Sequence, residues 1–163
     1  MEPLKLVALD AEDLEILSAH VQDAVLRVGD MAFVPARNRF AMVLNRFDWT
    51  SANASRDKTM ERRRAALRFE RVLGAQIQNL RQKAESAAVE LLAIQFEETE
   101  TPEGFVTLVF AGGGAVRLRV ECIEAELHDL GPAWRAKSRP WHELADDDER
   151  LRADAEDRPP KRR

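Results

Sequence analysis

Tryptophan and arginine are the side chains that most often anchor recognition surfaces. Residues 133–144, AWRAKSRPWHEL, interleave Trp134 and Trp141 with Arg135, Lys137, Arg139 and His142. Such a segment can stack on a planar partner group while its guanidinium groups meet acceptors. Trp49, which follows Arg46 and Asp48, is assigned to the same surface. A second candidate lies earlier in the chain. Arg56, Lys58, Arg62, Arg63, Arg64, Arg68 and Arg71 stand against only Asp57, Glu61 and Glu70, a density of cations able to hold phosphate groups. On a strand, the same arginines would instead keep one face wet and guard an edge. Together the two segments give a candidate binding set of Arg46, Asp48, Trp49, Arg62, Arg64, Trp134, Arg135, Arg139 and Trp141.

The residue types that perform catalysis or bind metal are too scattered to converge by spacing. His20, His128 and His142 lie far apart, and none has a second ligand at helical or CxxC spacing. Cys122 and His128 would fall on different faces of one helix, which is poor geometry for a nucleophile and its base. Asp10 with Asp13, and Glu124 with Asp129, read as caps and solvated faces, with His128 and Asp129 as surface groups. Gly112-Gly113-Gly114 lacks the lysine and hydroxyl residue of a phosphate loop and reads as a turn between strands. The expectation is therefore no catalytic residue, no metal site and no cofactor.

The chain of 163 residues carries 25 basic and 29 acidic residues, for a net charge of -4, so no uniform field favours nucleic acid or anionic lipid. A single cysteine permits no internal disulfide, and no window approaches the run of about 20 apolar residues that spans a bilayer. These features predict a cytoplasmic protein with neither signal peptide nor membrane span.

The elements that must position the candidates are read from periodicity. Residues 1–145 are expected to form one α+β domain, and 146–163, highly charged and nearly devoid of large apolar residues, a disordered tail. A strand over 4–9 feeds a helix capped by Asp10, with Leu14, Leu17 and Val21 on its apolar face. Residues 25–28 and 31–34 pair through a Gly29-Asp30 turn, and 39–49 form a long strand carrying Phe40, Met42 and Leu44 on one side. A polar loop covers 50–61. Residues 62–72 suit helix or strand; their alternation favours strand, with a break at Gly74 and a weaker strand after it. Residues 92–97, 105–110 and 116–122 form a meander. Ile123, Leu127 and Leu130, at i, i+4 and i+7 before Gly131-Pro132, predict a closing helix. About seven antiparallel strands closed by a C-terminal helix is the pattern of a pleckstrin-homology-like barrel, here with an added N-terminal strand and helix.

The strand LNRFDW, residues 44–49, and the segment ECIEAELHDLGPAW, residues 121–134, resemble domain-of-unknown-function family 2948, small bacterial proteins, over about residues 4–142. The resemblance implies a bacterial protein without assigned activity, and it carries over no catalytic residue. The residues themselves favour a non-enzymatic binding or adaptor module for a protein or peptide partner. Alternatives are nucleic-acid or phosphate binding through residues 56–71, and an enzyme whose site is assembled from distant loops. Oligomeric state is left open.

Overall fold

The computed structural model describes residues 3–48, 61–80 and 84–131, and the backbone of Trp134 and Arg135. Their elements run β1 (Lys5–Ala8), α1 (Ala11–His20), β2 (Ala24–Arg27), β3 (Met31–Val34), β4 (Arg39–Phe47), β5 (Glu61–Phe69), β6 (Val72–Gln78), β7 (Ala88–Glu98), β8 (Gly104–Phe110), β9 (Ala115–Val120), β10 (Ala125–Asp129) and β11 (Trp134–Arg135). All strand pairs are antiparallel. The sheet order is β1-β10-β5-β4-β2-β7-β8-β9-β6, with β3 sharing the β2 edge of β4 and β11 sharing the β10 edge of β5. Among the described residues this order is open, with β1 and β6 at its two ends.

The first helix forms as its sequence dictates. The Asp10 carboxylate accepts from the Asp13 amide at 2.7 Å, and Asp13 reaches back to the Leu9 amide at 3.2 Å, so two amides at the helix entrance gain acceptors. Leu14, Leu17 and Val21 are buried against the sheet, each contributing about 1.5–3 kcal/mol. Ser18 Oγ accepts from the Ile94 amide at 2.9 Å and ties the helix to β7.

The sheet supplies most of the core through alternation. Phe40, Met42 and Leu44 of β4, Ala65, Leu67 and Phe69 of β5, and Val116, Leu118 and Val120 of β9 all point inward. The strand expected over 62–72 forms over 61–69, but the break falls at Glu70-Arg71, where Arg71 takes φ 60°, and Gly74, the expected break, lies inside β6; the 88–98 run is one continuous strand. The β7–β8–β9 meander also forms, its last turn carried by Gly112 and Gly113 at φ 82° and 89°.

Three further expectations are corrected. First, β2 and β3 do not pair with each other; both lie along β4, and a 3-10 turn at Val28–Asp30 redirects the chain. Gly29 sits at a close approach there, since its amide donates to Glu85 O at 2.8 Å and an added Cβ would stand 3.0 Å from the Glu85 Cβ, so a side chain would require Glu85 to give by a few tenths of an ångström. Second, the expected C-terminal helix is strand β10. Ala125 and Leu127 face the core while Glu126 and His128 face away, and β10 fills the lane between β1 and β5 where its backbone groups find partners. Third, among the described residues there are eleven strands where about seven were expected, and the α-helix among them is N-terminal, so no helix of the described residues closes a barrel. The expected loop over 50–61 and tail over 146–163 lie outside the described residues, except that Glu61 opens β5.

Candidate functional site

Where β4 ends and β5 begins, the inward-facing positions change from apolar to charged. After Leu44, the same side of β4 presents Arg46 and Asp48. Before Ala65, the same side of β5 presents Arg63, and after Leu127, β10 presents Asp129. Four charges thus cap one end of the core. Arg46 grips Asp129 with both Nε and Nη2 at 2.8 Å, and the Leu4 amide donates to the same carboxylate at 2.7 Å. Arg63 Nε donates to Asp48 at 3.0 Å and lies 3.9 Å from Asp129. The Arg46 and Asp129 side chains are 3% and 0% exposed, so this fork-to-fork pair is shielded from solvent.

His20, at the end of α1, faces the same cluster. Burial, reinforced by the Arg46 cation, holds its imidazole below the usual pKa of 6.5, with Asp48 and Asp129 pulling the other way. On the opposite side of the sheet, the Arg62 guanidinium lies 4.7 Å from the centroid of the Phe47 ring, its partner across the ladder.

Backbone pairing brings the C-terminal candidates to this place. The Asp48 amide donates to Glu61 O at 2.8 Å, closing the base of the connection between β4 and β5. Trp134 and Arg135 pair with Arg62 and Glu61, and the Leu130 amide donates to Arg64 O at 2.7 Å. The structure therefore assembles Arg46, Asp48, Arg62, Arg64 and the backbone of Trp134 and Arg135 at one end of the sheet. Trp49, Arg139 and Trp141 lie outside the described residues.

Burial changes what these residues can do. Arg46, Asp48 and Arg62 are buried at 3%, 5% and 2% exposure, whereas Arg64 is exposed. The placement of Asp129 as a surface group is also corrected, because β10 points it into the core; His128 does face away from the core, its side chain 38% exposed, but on a strand and not at a helix end. The basic stretch is largely engaged within the chain. Besides Arg63, Arg68 pairs with Glu126 at 2.8 Å and Glu70 at 3.1 Å, and Arg71 lies 3.6 Å from Glu124; Arg56 and Lys58 are outside the described residues. Sequence reasoning missed Arg63 and Asp129 as partners and Phe47 as the seat for Arg62. The signal was available for Arg63, two residues before Ala65 on the same face.

Other groups stand apart from the cluster. Glu90 and Asp23 form a carboxyl pair; burial and then the hydrogen bond with Asp23 push the Glu90 pKa up. A cleft of about 270 Å³ lies between α1 and β7, lined by Leu14, Glu15, Ile94 and Phe96 among others. Among the described residues no group of three or more His, Cys, Asp or Glu side chains could hold a metal, and no helix is long and apolar enough to cross a membrane. Cys122 is half-buried.

Comparison with known proteins finds no matching curated protein and no matching solved structure. Residues 4–142 match the family described as "Protein of unknown function (DUF2948)", a span that includes every member of the ion cluster and β11, and the chain belongs to that family.

Proposed function

We propose that the chain is a non-enzymatic binding module that recognises a protein or peptide partner through the segment beginning at Trp134-Arg135 and the connection that follows Asp48. The observation carrying this reading is the register of β11 on β5, which roots the Trp/Arg segment beside the point where the β4–β5 connection leaves the sheet. Beneath that root the Arg46–Asp129 and Arg63–Asp48 pairs fix the strand ends, so a recognition element attached there starts from a preorganised base. The charges of the cluster neutralise one another, which suits a support better than a reacting centre. The single cysteine accords with a reducing, cytoplasmic setting.

Binding of nucleic acid through residues 56–71 has less support, because Arg62 and Arg63 are buried and Arg68 and Arg71 face carboxylates. It would demand affinity that falls steeply with salt.

The proposal is tested with Trp134→Ala and Trp141→Ala variants of the full chain, immobilised alongside the native protein and exposed to lysate. Partners retained by the native chain should be lost or reduced severalfold with either variant, while thermal unfolding stays unchanged. An unchanged partner set with intact folding removes the segment from recognition.

A further inference from the structure

The two ends of the sheet are protected very differently. At one end β1 carries Lys5, spans only four residues and packs against α1. At the other end is β6, with the sequence VLGAQIQ. It pairs with β9 on one side, and among the described residues no strand pairs with its other side. Natural edge strands avoid unwanted pairing by short length, charge or proline. The seven residues of β6 include no charged residue and no proline, and only the irregularity between Val72 and Gly74 interrupts its register. That irregularity leaves Gly74–Gln78 as a straight run able to accept another strand.

The side chains along this run are incompletely covered. Ile77 pairs with Val116 and so shares the core side of the sheet, yet it is 42% exposed, and among the described residues no strand lies beyond it. Leu73 is 37% exposed, and Gln76 and Gln78 are exposed on the strand. An uncharged strand is electrostatically compatible with an antiparallel copy of itself, since no like charges are brought face to face.

We propose that two copies of this chain associate through an antiparallel β6–β6 pairing about a two-fold axis at Gln76. In that register Ala75 of each copy lies opposite Ile77 of the other on the core side, continuing the apolar layer across the junction. Gly74 lies opposite Gln78 on the outer side, and the two Gln76 amides face each other, each able to donate and accept. The contact is isologous, so it closes as a dimer and does not propagate. Strand addition of this kind takes its affinity from main-chain hydrogen bonds and its register from the alternating side chains.

The test measures the mass of the full 18.5 kDa chain in solution by light scattering across the micromolar range, for the native protein and for Gln76→Lys and Gln76→Glu variants. The native chain should be a dimer. Each variant alone places like charges at the axis and should raise the dimer dissociation constant about fivefold or more. Mixing the two variants should restore the dimer, now as a heterodimer. Thermal unfolding establishes that each variant is folded; Gln76→Glu, whose carboxylate would lie beside Arg117, serves alone in place of the lysine variant if Gln76→Lys unfolds. A monomeric native chain overturns the proposal. So does a dimer whose dissociation constant is the same in folded native protein and lysine variant, or a mixture that gains nothing over its components.

Discussion

Asp129 accepts from Arg46 Nε and Nη2 and from the Leu4 amide while fully buried, so its removal leaves one arginine uncompensated in the core and one backbone amide without its acceptor. Asp129→Ala should therefore destabilise the fold by about 3–5 kcal/mol in urea unfolding, far more than an exposed ion pair would cost. The comparison is Glu124→Ala, which removes the exposed partner of Arg71 and should cost no more than about 1 kcal/mol. His20 gives the same cluster a pH dependence. Its folded pKa lies below 6.5, so as pH falls through 6.5 the unfolded chain takes up a proton before the folded one does. Stability from this group is complete above pH 6.5 and declines below it, until the pH passes the folded value. Subtracting the pH profile of His20→Asn from that of the native protein isolates the decline; a difference that is flat below 6.5 would contradict it. These roles were only half legible beforehand. Strand alternation places Arg46 and Asp48 on the Leu44 side, but arginine and aspartate are usually solvent-exposed, and the carboxylate that buries Arg46 comes from 83 residues later in the chain.

At the scale of elements, residues 123–130 show how two periods can share one residue. Ile123, Leu127 and Leu130 fit a helix, while Ala125, Leu127 and Asp129 fit a strand, and Leu127 belongs to both patterns. Tertiary pairing decides between them. As a strand, β10 bridges β1 and β5, burying Leu127 fully and leaving Leu130 48% exposed. The two periods predict opposite costs for the same substitution. Leu127→Ala should cost about 2–5 kcal/mol and Leu130→Ala within about 0.5 kcal/mol by chemical denaturation, whereas a helix with both leucines on its buried face would make the costs alike. The N-terminal helix was legible for the converse reason, because its cap, acidic first turn and apolar face lie within twelve residues and require no distant partner. The β2–β3 connection was misread because glycine followed by aspartate signals a two-residue hairpin turn, whereas Gly29 here serves the approach of the chain near Glu85.

For the whole molecule, the legible parts of the topology are those joined by short connections. The β7–β8–β9 meander follows from turn residues and alternation, whereas the pairings that complete the sheet join distant segments: Leu6 lies opposite Leu127, Val25 opposite Glu90, and Ile77 opposite Val116. No local pattern encodes which strand will lie beside which. The same separation orders the folding reaction, because closing a long loop costs chain entropy before the contact returns anything. The meander, whose neighbours are joined by short turns, should be structured in the transition state, and the β1–β10 seam should form after it. Leu108→Ala in β8 and Leu6→Ala in β1 remove apolar side chains that pack in the same core. The first should mainly slow refolding, with a φ-value of about 0.5 or more, and the second should mainly accelerate unfolding, with a φ-value below about 0.3. Stopped-flow refolding and unfolding in denaturant separate the two limbs. The reverse assignment would mean that the chain first brings its ends together around β10, and that the Arg46–Asp129 pair is part of the folding nucleus and not a lock set after it.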